Sequence, residues 1–199
     1  MVNIIIGIDP GLKGSMAFLK TEGSLTIERL PVITEQRKTR RVRSIDTAAL
    51  VALIKKHTAP STPDRPHTGS STPDHTGSHR ITSDQNPINS DTGSSKPSAI
   101  AIVEDVFSMP RDSRRGAFTF GGVKASITSA LALCGVRAVF VSPAVWKGRM
   151  RLSADKKRSR ALAEKLFPST KFKSIDDCEA ALLAGYLLLH MSDVLQPAE

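Results

Sequence analysis

The sequence predicts an α/β fold: a mixed five-stranded sheet, with three antiparallel strands and then two parallel ones, flanked by helices. Two stretches carry this prediction. Ile4 to Ile8 and Ala99 to Val103 are short, largely β-branched apolar runs, which is typical of strands buried on both faces. Each run is followed by a carboxylate, Asp9 or Glu104. Because parallel strands end at the same edge of a sheet, we expect the two acids to lie side by side.

The antiparallel part of the sheet is predicted from the first thirty residues. Pro10, Gly11 and Gly14 indicate a tight turn after the first strand, so the chain is expected to reverse into a second strand at Met16–Leu19. Apolar and polar residues alternate over Leu25–Leu30, which predicts a third strand. The three strands would form a meander.

Helical patterns account for most of the remaining chain. Candidate N-caps and Gly or Pro stops predict four helices and a fifth strand. The helices are expected from Ser44 or Asp46 to about His57, from about Val123 to Cys134 with Gly135 beyond, from Ser153 to Phe167, and from about Asp176 to Met191, with the strand over Ala138–Val141. A basic connection is predicted over Lys147–Arg151.

A change in composition from Thr58 to Ser98 predicts an insert without a core. Ser, Thr, Pro, Asp, Gly and His dominate this stretch, and Ser61–Asp64 recurs as Ser71–Asp74. Too few large apolar residues are present to offset the entropy lost on ordering. We therefore expect a single domain over 1–199 with a low-complexity, disordered insert at about 58–98. Its histidines lack metal-ligand spacing, so no metal site is expected there.

The charge of the chain favours an anionic partner. It carries 28 Lys and Arg against 19 Asp and Glu, a formal net charge of +9. The basic residues are gathered in patches, and the patch from Arg37 to Arg43 has no periodicity, which predicts a loop. Nucleic acid is the commonest polyanion, and we favour it over general solubility or an acidic membrane surface.

Localisation is predicted from the absence of targeting segments, and redox state is predicted from the contexts of the two cysteines. We find no signal peptide, transit peptide or bilayer-spanning run, and expect a soluble protein with no membrane partner. It would act in the cytoplasm, either near the nucleoid or as a viral protein in its host. Cys134 and Cys178 lie in apolar helical contexts, so both are expected to be reduced core thiols.

Two further acids complete a candidate metal site. Asp176 and Glu179 are three residues apart at the start of the last helix and therefore share one face. If they meet Asp9 and Glu104, a proton or a cation must offset the repulsion. Carboxylate oxygens suit Mg²⁺ or Mn²⁺, and a pair of such ions about 4 Å apart is the usual arrangement for hydrolysing a phosphodiester. Stabilisation of the helix dipole is the alternative role for the two helical acids.

Four motifs occur in one order along the chain: Ile-Gly-Ile-Asp9-Pro-Gly, Val-Glu104, Ser142-Pro143 with Trp146-Lys147, and Asp176-x-x-Glu179-Ala180. In this order they resemble the RuvC-type Holliday junction resolvases, most closely the phage and organellar branch. The resemblance covers nearly the whole chain apart from the insert. It implies an RNase H-like fold and a homodimer that makes symmetric paired nicks in four-way DNA junctions. It also implies two Mg²⁺ ions per active site, with Mn²⁺ as a substitute, and no small-molecule cofactor.

The resemblance also implies roles for individual residues. Asp9, Glu104, Asp176 and Glu179 match the family's catalytic metal ligands. The last ligand is usually Asp, so the choice between Glu179 and Asp177 stays open; we favour Glu179 because Asp177 lies elsewhere on the helix. Trp146 is expected to pack in the core rather than take part in the chemistry.

DNA contacts are expected from an aromatic residue and from the basic patches. Phe107, three residues after Glu104, matches an aromatic that stacks on bases in some family members, and a core position is the alternative. Lys147 matches a basic position near the DNA. The expected DNA-binding residues are Arg40, Arg41, Arg43, Phe107, Arg114, Arg115, Lys147, Lys156 and Lys157.

Three other functions remain open at this point. Actin-like and sugar-kinase ATPases share the opening strand, the Asp and the glycine turn, but they need two such domains and a second phosphate loop. A non-catalytic junction or chromatin binder would use the acids structurally. A related nuclease could act on other branched DNA. The test that separates the binder from a nuclease is whether Mg²⁺ converts DNA binding into nicking.

Overall fold

A five-stranded sheet with helices on both faces and a separate two-stranded hairpin make up the fold. The computed structural model describes residues 2–38, 40–59, 99–107, 113–153, 155–191 and 195, with the backbone alone at Arg37 and Arg40. These residues belong to one compact unit, Met1–Ala59 with Lys96–Glu199. The insert predicted at about 58–98 lies almost entirely outside the described residues, so its disorder stays a prediction.

The strands and helices follow one another along the chain as the sequence predicts, with additions. The strands are β1 (Ile4–Asp9), β2 (Ser15–Lys20), β3 (Leu25–Arg29), β4 (Val32–Arg37), β5 (Arg40–Ile45), β6 (Ala99–Glu104) and β7 (Arg137–Val141). The helices are α1 (Thr47–Thr58), α2 (Arg114–Leu133), α3 (Pro143–Arg149), α4 (Lys156–Leu166) and α5 (Ile175–His190).

The main sheet has the order β3-β2-β1-β6-β7. β1 pairs antiparallel with β2 and β2 antiparallel with β3, whereas β1, β6 and β7 are parallel neighbours. The predicted fold class, three antiparallel strands and then two parallel ones, is therefore confirmed. β1 lies at the centre of the sheet, so the acid at its end has a neighbouring strand on each side.

Alternate residues of β1 enter two different cores. Ile4, Ile6 and Ile8 pack with α1 and α2, while Ile5 packs with α4 and α5 on the opposite face. All four are buried. A strand that is apolar on both faces is what a sheet covered by helices on each side requires.

Helix α5 lies directly on the backbone of β1 at Gly7. A Cβ atom at Gly7 would stand 2.0 Å from the carbonyl oxygen of Ala180 and 2.6 Å from the amide nitrogen of Ala184. Real Cβ atoms do not approach backbone this closely, so only glycine permits the observed distance. The contact brings the first turn of α5 near the end of β1.

The turn after β1 is equally tight. The amide of Gly14 donates to the carbonyl of Gly11 at 3.0 Å, and a Cβ at Gly14 would lie 2.1 Å from the carbonyl oxygen of Asp9. The amide of Leu30 donates to the Gly14 carbonyl at 3.1 Å, which fastens the turn to the end of β3. Asp9 is thus held between a central strand and a fixed turn.

The basic segment before α1 is a hairpin, and the prediction of a loop over 37–43 is wrong. β4 and β5 pair antiparallel from Val32 with Ile45 to Arg37 with Arg40, and Lys38 turns the chain with a φ of 47°. Apolar alternation is weak here because most of the hairpin faces solvent, and Ile45 at its base is buried. Cross-strand backbone pairing, which leaves little trace in side-chain pattern, forms the hairpin.

Helix α2 begins at Arg114, well before the predicted start at Val123. The Oγ of Ser113 caps the helix by accepting a hydrogen bond from the Gly116 amide at 3.0 Å. Gly121 and Gly122 lie inside the helix with open space around their Cα atoms. The packing of α2 on α1 therefore offsets the low helix propensity of this glycine pair.

The predicted basic connection after β7 is in large part the short helix α3. Pro143 occupies its first turn, where the missing amide hydrogen would have no helical partner. The other predicted helices are present with small boundary shifts: Asp46, Asp155 and Ser174 are the N-caps of α1, α4 and α5.

Both cysteines are free thiols; Cys178 is buried and Cys134 is partly buried. Burial raises the pKa of the Cys178 thiol to about 11, so it is protonated at neutral pH. Within the described ranges, none of the helices has the length and apolar character that a bilayer crossing demands.

We predict that Gly7→Ala destabilises the protein by about 3 kcal/mol, because its methyl group would press on backbone atoms that cannot move without displacing α5. Gly121→Ala is the matched control: it lies in an open part of a helix and should gain about 0.5–1 kcal/mol. Urea unfolding measures both. Equal stability of Gly7→Ala and the parent would contradict the close contact.

Candidate active site

The fold brings the four predicted acids to one edge of the sheet. Asp9 and Glu104 are the last residues of β1 and β6, which are parallel and in register up to Ile8 and Val103. Asp176 and Glu179 belong to the first turns of α5, the helix that packs on β1. Three elements that are distant in sequence therefore supply one group of carboxylates.

Electrostatic coupling shows that the four acids are neighbours. Burial raises the pKa of Asp9 to about 8, and the negative charges of Glu104, Glu179 and Asp176 contribute in that order, while Lys147 acts in the opposite direction. At neutral pH much of the Asp9 population is thus protonated. The cluster holds more negative charge than its surroundings stabilise.

Glu104 is held by the indole of Trp146. Trp146 is fully buried, and its Nε1–H donates to Oε1 of Glu104 at 2.9 Å. Burial raises the pKa of Glu104, with a smaller contribution from Glu179, and this outweighs the lowering by the Trp146 hydrogen bond and by Lys147. The prediction that Trp146 only packs is therefore incomplete.

Glu179 is paired with Lys147. The Lys147 Nζ donates to Oε1 of Glu179 at 2.8 Å, and the Oγ of Ser159 in α4 lies 3.4 Å from the same oxygen. The ammonium group also stands 5.1 Å from the centre of the Trp146 ring. Lys147, predicted as a DNA contact, thus lies inside the acid cluster and supplies its nearest positive charge.

Asp176 and Asp177 differ sharply in their surroundings. Asp176 is partly exposed, and its Oδ2 lies 3.5 Å from the guanidinium of Arg29. Asp177 is 3% exposed and completes the capping box of α5 with Ser174, and the Oγ of Ser15 donates to it at 2.6 Å. Burial favours a raised pKa for Asp177, but the hydrogen bonds and Arg29 lower it. Asp177 is therefore committed to the helix cap, which favours Glu179 as the fourth ligand.

The donor set fits a hard divalent cation. All four side chains offer carboxylate oxygens, the ligands that Mg²⁺ and Mn²⁺ prefer, and their mutual repulsion is what a cation would offset. Among the described residues, however, no three His, Cys, Asp or Glu side chains stand ready around one point. One oxygen of each glutamate is bound by Trp146 or Lys147 instead.

A basic cleft of about 600 Å³ opens beside the turn that follows Asp9. The β4–β5 hairpin forms one wall and the first turns of α2 form another. Three of the predicted DNA-binding residues line it: Arg41, Arg43 and Arg115. Arg43 also donates to the carbonyl of Leu12 at 3.2 Å, which ties the hairpin to the turn.

Two exposed phenylalanines, to which the sequence pattern assigns no role, also line this cleft. Phe118 is 86% exposed and Phe120 is 39% exposed. An aromatic pair among small residues, mostly Gly and Ala, is the signal that marks them in the sequence. Arg29 and Ser159 are the other site residues that sequence reasoning misses, because only the fold places them beside the acids.

The remaining predicted DNA-binding residues lie on the surface. Phe107 is 66% exposed, so the alternative of a core position is wrong. The Nζ of Lys124 lies 5.3 Å from the centre of the Phe107 ring and forms an ion pair with Asp105. The others, all exposed, are Arg114, Lys156 and Lys157. The Arg40 side chain lies outside the described residues, so its role stays a prediction.

We predict opposite effects on stability for two Asp→Asn changes. Between its ordinary pKa of 3.8 and about 8, folded Asp9 binds more proton than unfolded Asp9, so the free energy of unfolding falls as pH rises across that range. Asp9→Asn removes this loss, so the free energy of unfolding of the metal-free variant, relative to that of the parent, should be higher at pH 8.5 than at pH 5 by about 4 kcal/mol.

Asp177→Asn is the matched control. Its lowered pKa means that the ionised form stabilises the fold above pH 3.8 and that this contribution is lost as pH falls, so the variant should be less stable than the parent at pH 8.5. Urea unfolding in EDTA at both pH values measures the pair. Similar destabilisation of both variants at pH 8.5 would contradict the charge excess at Asp9.

The chain was compared with protein families, curated proteins and solved structures, and only the solved structures gave matches. No protein-family model matches the chain, and neither does any curated protein. Among solved structures, it is similar to RuvC from Thermus thermophilus in complex with a Holliday junction substrate, at 11% identity and a TM-score of 0.54, covering 96% of each chain. A second Thermus thermophilus RuvC structure matches at 13% identity and a TM-score of 0.50, covering 93% of this chain and 95% of that one. The fold is therefore RuvC-like, an RNase H-like arrangement of sheet and helices.

Proposed function

We propose that this protein is a Holliday junction resolvase, a crossover junction endodeoxyribonuclease that makes paired nicks by metal-dependent hydrolysis of phosphodiesters. The observation that carries the proposal is the coupling of Asp9 to Glu104, Glu179 and Asp176 at one edge of a RuvC-like sheet. A group of four acids, two of them buried, destabilises a fold unless something binds it. A divalent cation would offset the repulsion between the acids, and it would also allow them to take part in phosphodiester hydrolysis.

Asp9, Glu104, Asp176 and Glu179 would hold Mg²⁺, or Mn²⁺ as a substitute, with two ions in each site. Bound there, the ions would activate the attacking water and stabilise the leaving 3′ oxygen of the phosphodiester. Lys147 favours the ionised form of two of these acids, since its charge acts against the rise in the pKa of both Asp9 and Glu104. Arg29 provides a second cation beside Asp176.

The surface around the acids suits a branched DNA. Arg41, Arg43 and Arg115 surround the cleft next to the Asp9 turn and would bind phosphates. Phe107 projects into solvent three residues beyond Glu104, where a base unpaired at the branch could stack on it; such stacking is worth about 1–3 kcal/mol. The Thermus thermophilus relative was solved with a Holliday junction substrate, which supports the same substrate class here.

Three further parts of the proposal concern assembly and context. A four-way junction has two-fold symmetry, so symmetric nicks call for two equivalent sites, which a homodimer supplies. The order of motifs from Asp9 to Glu179 supports the phage and organellar branch of the RuvC-type resolvases. The protein would act in the cytoplasm of a cell or of a viral host.

A non-catalytic junction-binding protein is the second candidate. One observation favours it: in the described residues Glu104 and Glu179 are bound by Trp146 and Lys147, and no ready-made group of three metal ligands is present. A nuclease with another branched substrate is a variant of the main proposal. Substrate and Mg²⁺ dependence separate the three.

We predict that Asp9→Asn lowers Mg²⁺-dependent nicking of a synthetic four-way junction by at least about 100-fold, because loss of a ligand costs more than the 10–100-fold typical of an outer partner. Junction affinity should be unchanged or slightly higher, since a negative charge is removed. Asp46→Asn is the control, because Asn caps a helix as well as Asp and this residue is the N-cap of α1 rather than one of the four acids.

Labelled four-way, three-way and linear duplexes serve as parallel substrates. Persistent nicking by Asp9→Asn would mean that the acids are not the active site. Junction binding by the unsubstituted protein without nicking in Mg²⁺ or Mn²⁺ would establish the non-catalytic alternative. Preferential nicking of three-way DNA would change the substrate but keep the chemistry.

A further inference from the structure

Helix α3 contacts two of the four acids through consecutive side chains. Trp146 donates to Glu104 on β6, and Lys147 donates to Glu179 on α5. The helix follows β7, the parallel neighbour of β6, after the single residue Ser142, and it has Pro143 in its first turn. A single short helix thereby connects acids that come from two different elements.

The indole of Trp146 has no freedom to move. It is fully buried in the core between the sheet and helices α4 and α5, together with Val141, Ile102 and Ala163. Interiors are close-packed, so a side chain of this size keeps a single orientation. The Nε1–H is consequently aimed at one point, which the Glu104 carboxylate occupies at 2.9 Å.

Packing alone does not account for this arrangement. An apolar ring would fill the same space without carrying a polar N–H into the core, where an unpaired donor costs about 1–3 kcal/mol. Here the donor is satisfied by a carboxylate that is itself 7% exposed. The hydrogen bond is charge-assisted when Glu104 is ionised, the form that binds metal.

Glu104 needs such a restraint on its side chain. Its backbone is held, because the amide of the next residue, Asp105, donates to the Val141 carbonyl at 2.7 Å. The glutamate side chain still has three rotatable bonds, and freezing them costs free energy when a ligand binds. A metal ligand that is already oriented by an outer partner avoids much of that cost.

Trp146 and Lys147 must respond differently to a cation. The Lys147 ammonium competes with a metal ion for Glu179, because both are positive. The indole is neutral and binds only one oxygen of Glu104, so it can keep its hydrogen bond while the carboxylate binds a cation. Orientation and charge compensation are thus divided between the two residues.

We propose that Trp146 is a positioning residue that orients Glu104 for metal binding through its Nε1–H. The inference rests on the proposed function, since it assumes that the four acids bind a divalent cation. It differs from a packing role in one measurable respect: the ring volume can be kept while the N–H is removed.

Because the chain contains one tryptophan, replacing all tryptophan during expression changes position 146 alone. β-(3-Benzothienyl)alanine keeps the bicyclic ring and has sulfur in place of N–H, while 5-fluorotryptophan keeps the N–H and serves as the matched control. Mn²⁺ is titrated into each metal-free protein without DNA, and electron paramagnetic resonance measures the free ion. Trp146→Phe and Tyr186→Phe provide a second comparison at two buried aromatic positions.

The proposal predicts that the benzothienyl protein binds Mn²⁺ about tenfold more weakly than the unsubstituted protein, with 5-fluorotryptophan causing little change. Melting temperature and junction affinity should stay close to those of the unsubstituted protein. Trp146→Phe should also lose Mn²⁺ affinity and Tyr186→Phe should not. Equal Mn²⁺ affinity for the two tryptophan analogues would overturn the role of the N–H.

An Asp9→Asn protein separates this failure from failure of the proposed function. If Asp9→Asn weakens Mn²⁺ binding while the benzothienyl analogue does not, the metal site stands and the inference about Trp146 is wrong. If the unsubstituted protein binds no Mn²⁺, or binds it equally well with Asn at position 9, both the metal site and the inference are wrong.

Discussion

The close packing of helix α5 on strand β1 is the contact on which the rest of the structure depends. It is possible because Gly7 has no side chain, so the backbone of α5 approaches to where a Cβ atom would be. Asp9 follows Gly7 by two residues, and Glu179 precedes Ala180, the residue whose carbonyl faces Gly7. A larger residue at position 7 would separate the two acids along with the two elements.

This contact concentrates negative charge in a buried place, and the surrounding residues compensate only in part. Lys147 and Arg29 bring positive charge to Glu179 and Asp176, and Trp146 donates to Glu104. Asp9 is left with a strongly raised pKa. The repulsion between the acids therefore lowers the stability of the fold at this site. Such local loss of stability is typical of sites that bind a ligand.

Strong local patterns let the sequence predict the main sheet. Two apolar strands that each end in an acid indicate parallel neighbours, and the glycine turn after Asp9 indicates the meander; both are present. The acids could be grouped for the same reason, because strand ends and helix faces follow simple periodicities. The pairing of α5 with β1 is long-range and is carried by Gly7, a residue that offers no side-chain signal.

The features that sequence reasoning misses have weak or misleading local signals. The β4–β5 hairpin is rich in arginine, so backbone pairing rather than apolar alternation forms it. Gly121 and Gly122 resemble a helix break, yet the packing of α2 on α1 keeps them helical. The hydrogen bond of Trp146 joins residues 42 positions apart, and spacing along the chain does not indicate such a contact.

The central claim is that acids from β1, β6 and α5 form one binding site for divalent cations. Crystals grown with Mn²⁺ and measured at the manganese absorption edge test it directly, since an anomalous difference map locates manganese without reference to the protein. The account predicts a peak within bonding distance of Asp9 and of at least one of Glu104 and Glu179. Manganese bound elsewhere, or a map without a peak between these carboxylates at saturating Mn²⁺, would contradict it.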